Sequence, residues 1–237
     1  MGRAFEYRKA SKFARWDRMA KQFTRAGREI AMAVKAGGPL IETNPSLRRA
    51  VQNAKGVNMP KDRIEAAIKR ASNKDEKAFV EVVYEGMAPH GIAIIIETAT
   101  DNPTRTVANV RAIFNKKGGS LGTSGMHDFI FSRKGVFKFS GNNQDIETLE
   151  LELIDFGLES IEKDEETGNM VVTTLFQDFG TMQKALEDMN IEVITAELQR
   201  IPMMTKELSE EFTDEVLEII DKLEQDDDVQ NVYHNLA

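Results

Sequence analysis

The sequence contains no cysteine and only three histidines, and this scarcity excludes several kinds of chemistry. Without cysteine there can be no disulfide, no thiolate metal ligand and no cysteine nucleophile. His90, His127 and His234 lie far apart and lack the spacing of a zinc site. We therefore expect no metal, no cofactor and no catalytic residue in this chain.

Long apolar runs are also missing. No stretch approaches the roughly 20 apolar residues that a membrane-spanning helix requires, and the first residues lack the apolar centre of a secretory signal. We therefore expect a cytoplasmic protein that contacts no membrane. The acidic runs at 162–166 and 226–228 flank turns, which indicates solvated surfaces rather than acid/base pairs. An enzyme with a site in a cleft between acidic domains is the weakest of the alternatives.

The charges that are present divide the chain into two unlike parts. Residues 1–78 contain 19 Lys and Arg against 8 Asp and Glu, whereas the remainder contains 12 against 31. Basic side chains neutralise phosphates and release counterions, which drives binding to nucleic acid. The asymmetry predicts nucleic-acid binding by the first 78 residues. The alternative is that these basic helices are solvated or face the protein's own acidic part.

The spacing of apolar residues predicts three amphipathic helices in this basic part. The first covers residues 12–36, the second begins at Asn44-Pro45 and the third follows Met59-Pro60. Phe5 and Tyr7, in an N-terminal arm that we expect to be flexible, are candidates for stacking on bases. The candidate nucleic-acid-binding residues are Arg3, Arg8, Lys9, Lys12, Arg15, Arg18, Lys21, Arg25, Arg28, Arg48, Arg49, Lys55, Lys61, Arg63, Lys69 and Arg70.

The acidic part alternates strand and helix patterns. Strands at 79–84 and 92–97, a helix at 104–117 and a strand at 126–131 form a first group. From residue 136 to residue 200 the order is strand-helix-strand-strand-helix-strand, which is the ferredoxin-like arrangement. A helix at 209–224 and a strand at 229–234 remain, and they complete the first group. The sequence therefore predicts an α+β protein with a three-helix domain at 1–78, an α/β domain at 79–133 plus 205–237, and an α/β domain at 134–204 inserted in it. We expect both α/β domains to be of ferredoxin-like type.

Residues 98–126 form an ordered polar stretch in which no nucleophile stands out. Its glycine-rich segment, 118–125, follows a helix instead of opening one and contains no Gly-Lys-Ser/Thr, so it is not a Walker loop. It is interpreted either as a helix cap and loop or as a surface approached by a partner. The residues proposed for this second contact surface are Arg105, Lys116, Lys117, Gly118, Gly119, Thr123 and Ser124.

Four motifs occur in the order found in one known family. They are Asn44-Pro45-x-Leu47-Arg48 with Ala54-Lys55-x-x-Asn58-Met59-Pro60-Lys61-Asp62, then Tyr84-Glu85-Gly86, then Thr100-Asp101-Asn102 with Arg105-Thr106-Val107-Ala108, and Gly118-Gly119-x-Leu121-Gly122-Thr123-Ser124-Gly125. Over essentially its whole length the sequence resembles the YebC/PmpR family. The sequence departs from the family at Met126-His127-Asp128, where small residues are usual.

The resemblance implies a helical N-terminal domain followed by two α/β domains. It also implies a regulatory protein and no enzyme. Members are described as transcriptional regulators that bind DNA, and others, including mitochondrial relatives, as translation factors at the ribosome. The resemblance therefore leaves two partners open, DNA in the first interpretation and ribosomal RNA, with the ribosome, in the second.

Overall fold

The computed structural model describes residues 3–73, 75, 78–141, 145–165 and 167–237, with side chains from residue 19 onward. The helices are α1 (Arg3–Gly37), α2 (Pro45–Gly56), α3 (Lys61–Ala71), α4 (Pro103–Lys116), α5 (Ile146–Leu153), α6 (Phe179–Asp188) and α7 (Glu210–Gln225). The strands are β1 (Val80–Ala88), β2 (Ile92–Thr100), β3 (Ser120–Leu121), β4 (Phe131–Ser140), β5 (Leu158–Lys163), β6 (Asn169–Leu175), β7 (Val193–Pro202) and β8 (Val229–His234).

Helices α1 to α3 form a helical bundle around an apolar core that contains many alanines. Ile30, Leu47 and Ala54 are fully buried there. The side-chain oxygen of Asn44 accepts a hydrogen bond from the backbone N–H of Leu47 at 3.0 Å, which caps α2 as the Asn-Pro pair predicts. Helices α2 and α3 confirm the second and third helices that the sequence predicts.

Helix α1 is longer than its pattern predicts. It begins at Arg3, well before the expected start at residue 12, so the expected start of the first helix is wrong. No glycine or proline interrupts the chain between Arg3 and Gly27, and most of these residues favour helix. Side chains before residue 19 lie outside those described, so base stacking by Phe5 and Tyr7 stays a prediction.

The first sheet has the strand order β3-β1-β2-β8 and is antiparallel throughout. Its central strand β2 is apolar on both faces because both faces are covered. Ile94 packs on the α4 and α7 side with Phe114 and Ile219, while Ile95 packs on the opposite face with Phe131. The C-terminal helix and strand thus complete this sheet, and the whole segment β4–β7 is inserted between β3 and β8.

The expected strand at 126–131 is a misprediction. The third strand of the first sheet is instead Ser120–Leu121, residues 124–130 form turns, and Phe131 already belongs to β4 of the other sheet. The apolar residues of this segment resemble a strand because they are close together. Buried Glu85, described below, bonds backbone N–H groups of the segment and holds it as a turn.

The second sheet has the order β5-β6-β4-β7 and follows the split βαββαβ topology. Helices α5 and α6 cover one face, where Phe137, Phe139, Leu153, Met170 and Met182 are fully buried. The predicted α+β class, with a helical N-terminal part and one α/β unit inserted in another, is confirmed. Within the described part of the chain, no helix is both long and apolar enough to cross a membrane.

Helix α2 lies against the edge strand β7 of the second sheet. The Asn53 side chain accepts from the Ala196 N–H at 2.9 Å and donates to the Ala196 carbonyl at 3.1 Å, so it pairs with the strand as a neighbouring strand would. A Cβ on Gly56 would lie 2.5 Å from the Ile194 carbonyl oxygen, so this approach requires glycine. Between the bundle and the two sheets a cleft of about 610 Å³ remains open.

Candidate nucleic-acid interface

Six of the predicted nucleic-acid-binding residues are exposed on α2 and α3. They are Arg48, Lys55, Lys61, Arg63, Lys69 and Arg70. Their neighbours in each helix, such as Leu47 and Ile64, are buried in the bundle, so helical periodicity directs the charged residues outward. The six exposed residues together are called the outer basic surface below.

The outer basic surface is only lightly engaged within the protein. Arg48 donates to the Glu42 carbonyl at 3.2 Å, and the Lys61 ammonium lies 3.7 Å from Glu65. The Arg63 guanidinium stands 5.6 Å from the centroid of the Phe23 ring. An exposed ion pair such as Lys61–Glu65 contributes roughly 0–1 kcal/mol to stability. These cations therefore remain available to an external anion.

Arg25 and Arg28 of α1 point instead into the acidic part of the molecule. The Arg28 guanidinium donates to the Ala99 carbonyl at 2.6 Å and to the Asp228 carboxylate at 2.9 Å. Arg25 donates to the Glu224 carbonyl at 3.2 Å. Burial lowers the pKa of Arg25, and the charge of Glu224 partly opposes that shift. For these two residues, α1 faces the protein's own acidic part.

The other predicted residues of the bundle fall into two groups. Lys21 and Arg49 are half-buried, and the Arg49 guanidinium lies 5.4 Å from the centroid of the Phe179 ring in the second sheet's core. The side chains of Arg3, Arg8, Lys9, Lys12, Arg15 and Arg18 lie outside those described, although their backbone is helical.

Asp228 connects the bundle to the first sheet. The side chain is 3% exposed, so the expectation that the run 226–228 is entirely a solvated turn is wrong for this residue. One carboxylate oxygen accepts from Arg28, and the other accepts from Arg105 at 2.7 Å, Thr106 at 2.7 Å and Thr100 at 3.1 Å. Burial would raise the pKa of Asp228, but the hydrogen bonds from Arg105, Thr106, Arg28 and Thr100 outweigh it and lower the pKa.

Most charges of the proposed second contact surface are already paired. Arg105 bonds Asp228 and also Asp101 at 3.0 Å, and the Lys117 ammonium bonds Glu218 at 2.6 Å. Hydrogen bonds from Lys117 and Lys222 lower the pKa of Glu218 to about 2. Lys116 is exposed and has no ion pair within the described part of the chain. The structure thus brings one open cation, not three, to this surface.

The glycine-rich segment is built on a buried carboxylate. Glu85 is 4% exposed and accepts hydrogen bonds from the N–H groups of Gly125 at 2.6 Å and His127 at 2.8 Å. A ring nitrogen of His127 lies 2.8 Å from the Gly86 carbonyl. His127 is therefore a buried structural residue. Thr123 and Ser124 are left exposed at the tip.

The two remaining glycines of the second contact surface serve the backbone. Gly118 has φ +76° directly after α4, which is the usual helix-ending conformation. A Cβ on Gly119 would lie 2.8 Å from the Met87 carbonyl oxygen, so the chain passes close to β1 here. Sequence reasoning missed the role of Glu85 in holding this segment. Strand β1 contains two glutamates, Glu81 and Glu85, and only Glu85 is buried.

The cleft between the three parts carries charges of both signs. Glu29 reaches it from α1, and burial raises the pKa of Glu29, an effect opposed by Arg49 and Asn53 and reinforced by Glu197 and Glu81. Among the described residues, no group of three or more His, Asp and Glu is arranged to hold a metal ion. The cleft is open, polar and lined by charges that largely balance.

Comparison with known proteins agrees with this architecture. A crystal structure of a conserved hypothetical protein from Aquifex aeolicus superposes with a TM-score of 0.78 at 35% identity, covering 92% of this chain and 90% of that one. A probable transcriptional regulatory protein of Cytophaga hutchinsonii is 59% identical over 100% of this chain and 99% of its own. Another from Anaeromyxobacter dehalogenans is 53% identical over the full length of both chains.

The fold and its charge distribution define a three-part α+β protein with a basic helical bundle on an acidic body. Family models match both portions: the TACO1/YebC N-terminal domain over residues 3–74, and the TACO1/YebC second and third domain over residues 79–236. The chain belongs to the TACO1/YebC family. These two relatives are named probable transcriptional regulatory proteins, and the predicted resemblance to YebC is confirmed.

Proposed function

We propose that this protein is a transcriptional regulator that binds DNA through its helical bundle. The observation that carries the proposal is the outer basic surface, whose six cations are exposed and only lightly paired. A phosphate backbone is the anion that such a surface fits, because each cation can replace a condensed counterion. The regulatory names of the relatives support the same assignment.

We expect the outer basic surface to contact DNA mainly through the phosphates and less through the bases. α2 and α3 are short, and the exposed side of α3 is occupied by Lys and Arg together with Asp62 and Glu65. Such side chains position a protein on the backbone but carry little sequence information. We therefore expect modest sequence preference. We place this activity in the cytoplasm and assign no catalytic step to the chain.

A second candidate is a translation factor that contacts ribosomal RNA. The observation in its favour is the acidic body, which holds 31 Asp and Glu against 12 Lys and Arg beyond residue 78. A long duplex that extended past the bundle would meet this repulsive surface, whereas a pocket among RNA and basic ribosomal proteins would accommodate it. Both candidates use the same outer basic surface.

Charge removal from α3 tests the binding surface. The triple variant Arg63→Gln, Lys69→Gln and Arg70→Gln should weaken binding to mixed-sequence duplex DNA and flatten its dependence on salt by about 0.9 per lost phosphate contact. Titration with labelled DNA at several salt concentrations measures both quantities. The control, Lys163→Gln with Lys184→Gln, removes two cations from the second sheet and α6 and should have little effect.

An unchanged salt slope in the triple variant would contradict the assignment. Crosslinking in cells followed by sequencing of the recovered nucleic acid separates the two candidates. Promoter fragments support transcriptional regulation, and ribosomal RNA supports the translation factor.

A further inference from the structure

The segment 224–228, which comprises the end of α7 and the turn that follows it, lies against the basic side of α1 and is called the acidic turn below. Four of its five residues, 224–228, are acidic. Lys21, Thr24 and Arg25 face Glu224, Asp226 and Asp227 across a narrow gap. Lys21, Arg25 and Arg28 are spaced by four and three residues, so they share one side of the helix. The basic side of α1 therefore faces the acidic segment 224–228 of the same chain.

Arg28 makes the firmest bonds of this contact. It donates to Asp228 at 2.9 Å and to the Ala99 carbonyl at 2.6 Å, and its side chain is 14% exposed. Among the described residues, Arg25 makes a single hydrogen bond, to the Glu224 carbonyl at 3.2 Å. Two arginines of the basic bundle are in this way removed from the surface that an external polyanion meets.

The contact can open without leaving a buried charge unpaired. If Arg28 departs, Asp228 keeps Arg105, Thr106 and Thr100, all of which belong to the first sheet and α4. The carbonyls of Ala99 and Glu224 are neutral acceptors one residue before the ends of β2 and α7, so loss of the guanidinium leaves no charge behind there. An opening that orphans no ionised group avoids the large penalty of breaking a buried ion pair.

The closed arrangement satisfies Arg25 poorly. The hydrogen-bond acceptor of Arg25 is a neutral carbonyl at 3.2 Å. Desolvation by burial lowers the pKa of Arg25, and the charge of Glu224 only partly opposes that shift. A phosphate would instead offer a charged and bidentate acceptor, which matches the planar fork of arginine. Phosphate is therefore a stronger competitor for Arg25 than its present partner.

We propose that the acidic turn 224–228 is an internal competitor that occupies Arg25 and Arg28 until nucleic-acid phosphate displaces it. This inference rests on the proposed binding of nucleic acid by the helical bundle. It extends the phosphate-binding surface from the outer basic surface to the inner side of α1. Binding of nucleic acid then separates the helical bundle from the acidic turn.

Weakening the turn tests the competition. The variant Asp226→Asn with Asp227→Asn leaves the buried Asp228 in place and should bind short fluorescein-labelled duplex DNA or single-stranded RNA about fivefold more tightly. The control Glu152→Gln with Asp155→Asn removes the same charge from exposed positions around α5. It corrects for the change in net charge, so the gain is measured relative to this control.

The absence of cysteine permits a direct measurement of opening. Spin labels at Ala66→Cys on α3 and Asp221→Cys on α7, both exposed positions, report the separation of the bundle from α7. Adding the DNA or RNA probe should lengthen this distance, and the Asp226→Asn/Asp227→Asn background should lengthen it at a lower probe concentration.

Binding by the turn variant equal to that of the control overturns the competition while leaving the proposed function standing. An unchanged label distance in the bound state overturns it as well. Failure of the wild-type chain and of the turn variant to bind either probe overturns the proposed function and the competition together.

Discussion

At the scale of single residues, Asp228 should be a major determinant of the pH dependence of stability. Its folded-state pKa lies below the ordinary value of about 3.9. Its stabilising effect is therefore present above that value and is lost as the pH falls through the lower, folded-state pKa. Urea unfolding between neutral and acidic pH should show a decline in the unfolding free energy at the acidic end, and part of that decline should disappear in Asp228→Asn.

The same substitution should be costly at neutral pH. Asp228→Asn leaves Arg28 and Arg105 without their shared carboxylate, and removing one partner of a buried pair costs about 3–5 kcal/mol. The adjacent Asp227 is exposed, so Asp227→Asn is the matched control and should change stability by less than about 0.5 kcal/mol. Equal effects of the two substitutions would contradict the assigned role of Asp228.

Sequence reasoning at this scale found charges but not their partners. The basic character of Arg25 and Arg28 was evident, yet their acceptors lie near the other end of the chain. Nothing in local periodicity reports a contact between residues so distant in sequence. Glu85 and Asp228 were missed for the same reason, because a buried carboxylate is recognised only when its donors are known.

At the scale of secondary-structure elements, we expect alanine substitution of two glycines to have opposite effects on stability. A Cβ on Gly56 would lie 2.5 Å from the Ile194 carbonyl oxygen, so Gly56→Ala should push α2 away from β7 and destabilise the protein. A Cβ on Gly27, within α1, would have no neighbouring atom within 4 Å, so Gly27→Ala should stabilise the protein by about 0.5–1 kcal/mol. Thermal unfolding of both variants measures the contrast. Stabilisation by Gly56→Ala would show that α2 and β7 can separate freely.

Most elements could be predicted because their periodicity is strong. The uninterrupted apolar run of β2 and the heptad-like spacing of α7 follow from burial on two faces and on one face, respectively. The strand expected at 126–131 failed because apolar residues in a turn, such as Phe129 and Ile130, resemble a strand when tertiary contacts are ignored. The start of α1 was misplaced because its apolar stripe begins later than its helical backbone.

At the scale of the whole molecule, we propose boundaries at 1–78, 79–133 with 205–237, and 134–204. Strand β4 begins at Phe131 and β7 ends at Pro202, so the ends of the inserted sheet lie within three residues of these boundaries. Phe131 and Pro202, the first and last paired residues of β4 and β7, are neighbours across the sheet. The inserted unit therefore enters and leaves at one point. Replacing residues 132–201 by a short turn should leave the first sheet folded, which amide exchange of the β2–β8 pair would detect as continued protection.

A loss of that protection would contradict the boundaries, because it would make the two sheets one cooperative unit. The control is removal of residues 229–237, which comprise β8 and the three residues after it. This takes away one of the two strands that pair with β2 and should unfold the first sheet. We expect the large deletion, 132–201, to be tolerated and the small one, 229–237, to unfold the first sheet, because only the small one removes a strand that pairs with β2.

The late position of β8 also affects how the protein forms during synthesis. Strand β2 leaves the ribosome long before its neighbour β8, and all strands of the second sheet are made in between. The inserted unit can thus complete its fold while the earlier sheet still has an unpaired apolar edge. The nascent chain depends on β8 to close that edge, so a polypeptide that stops before β8 would have a central strand that is open to aggregation.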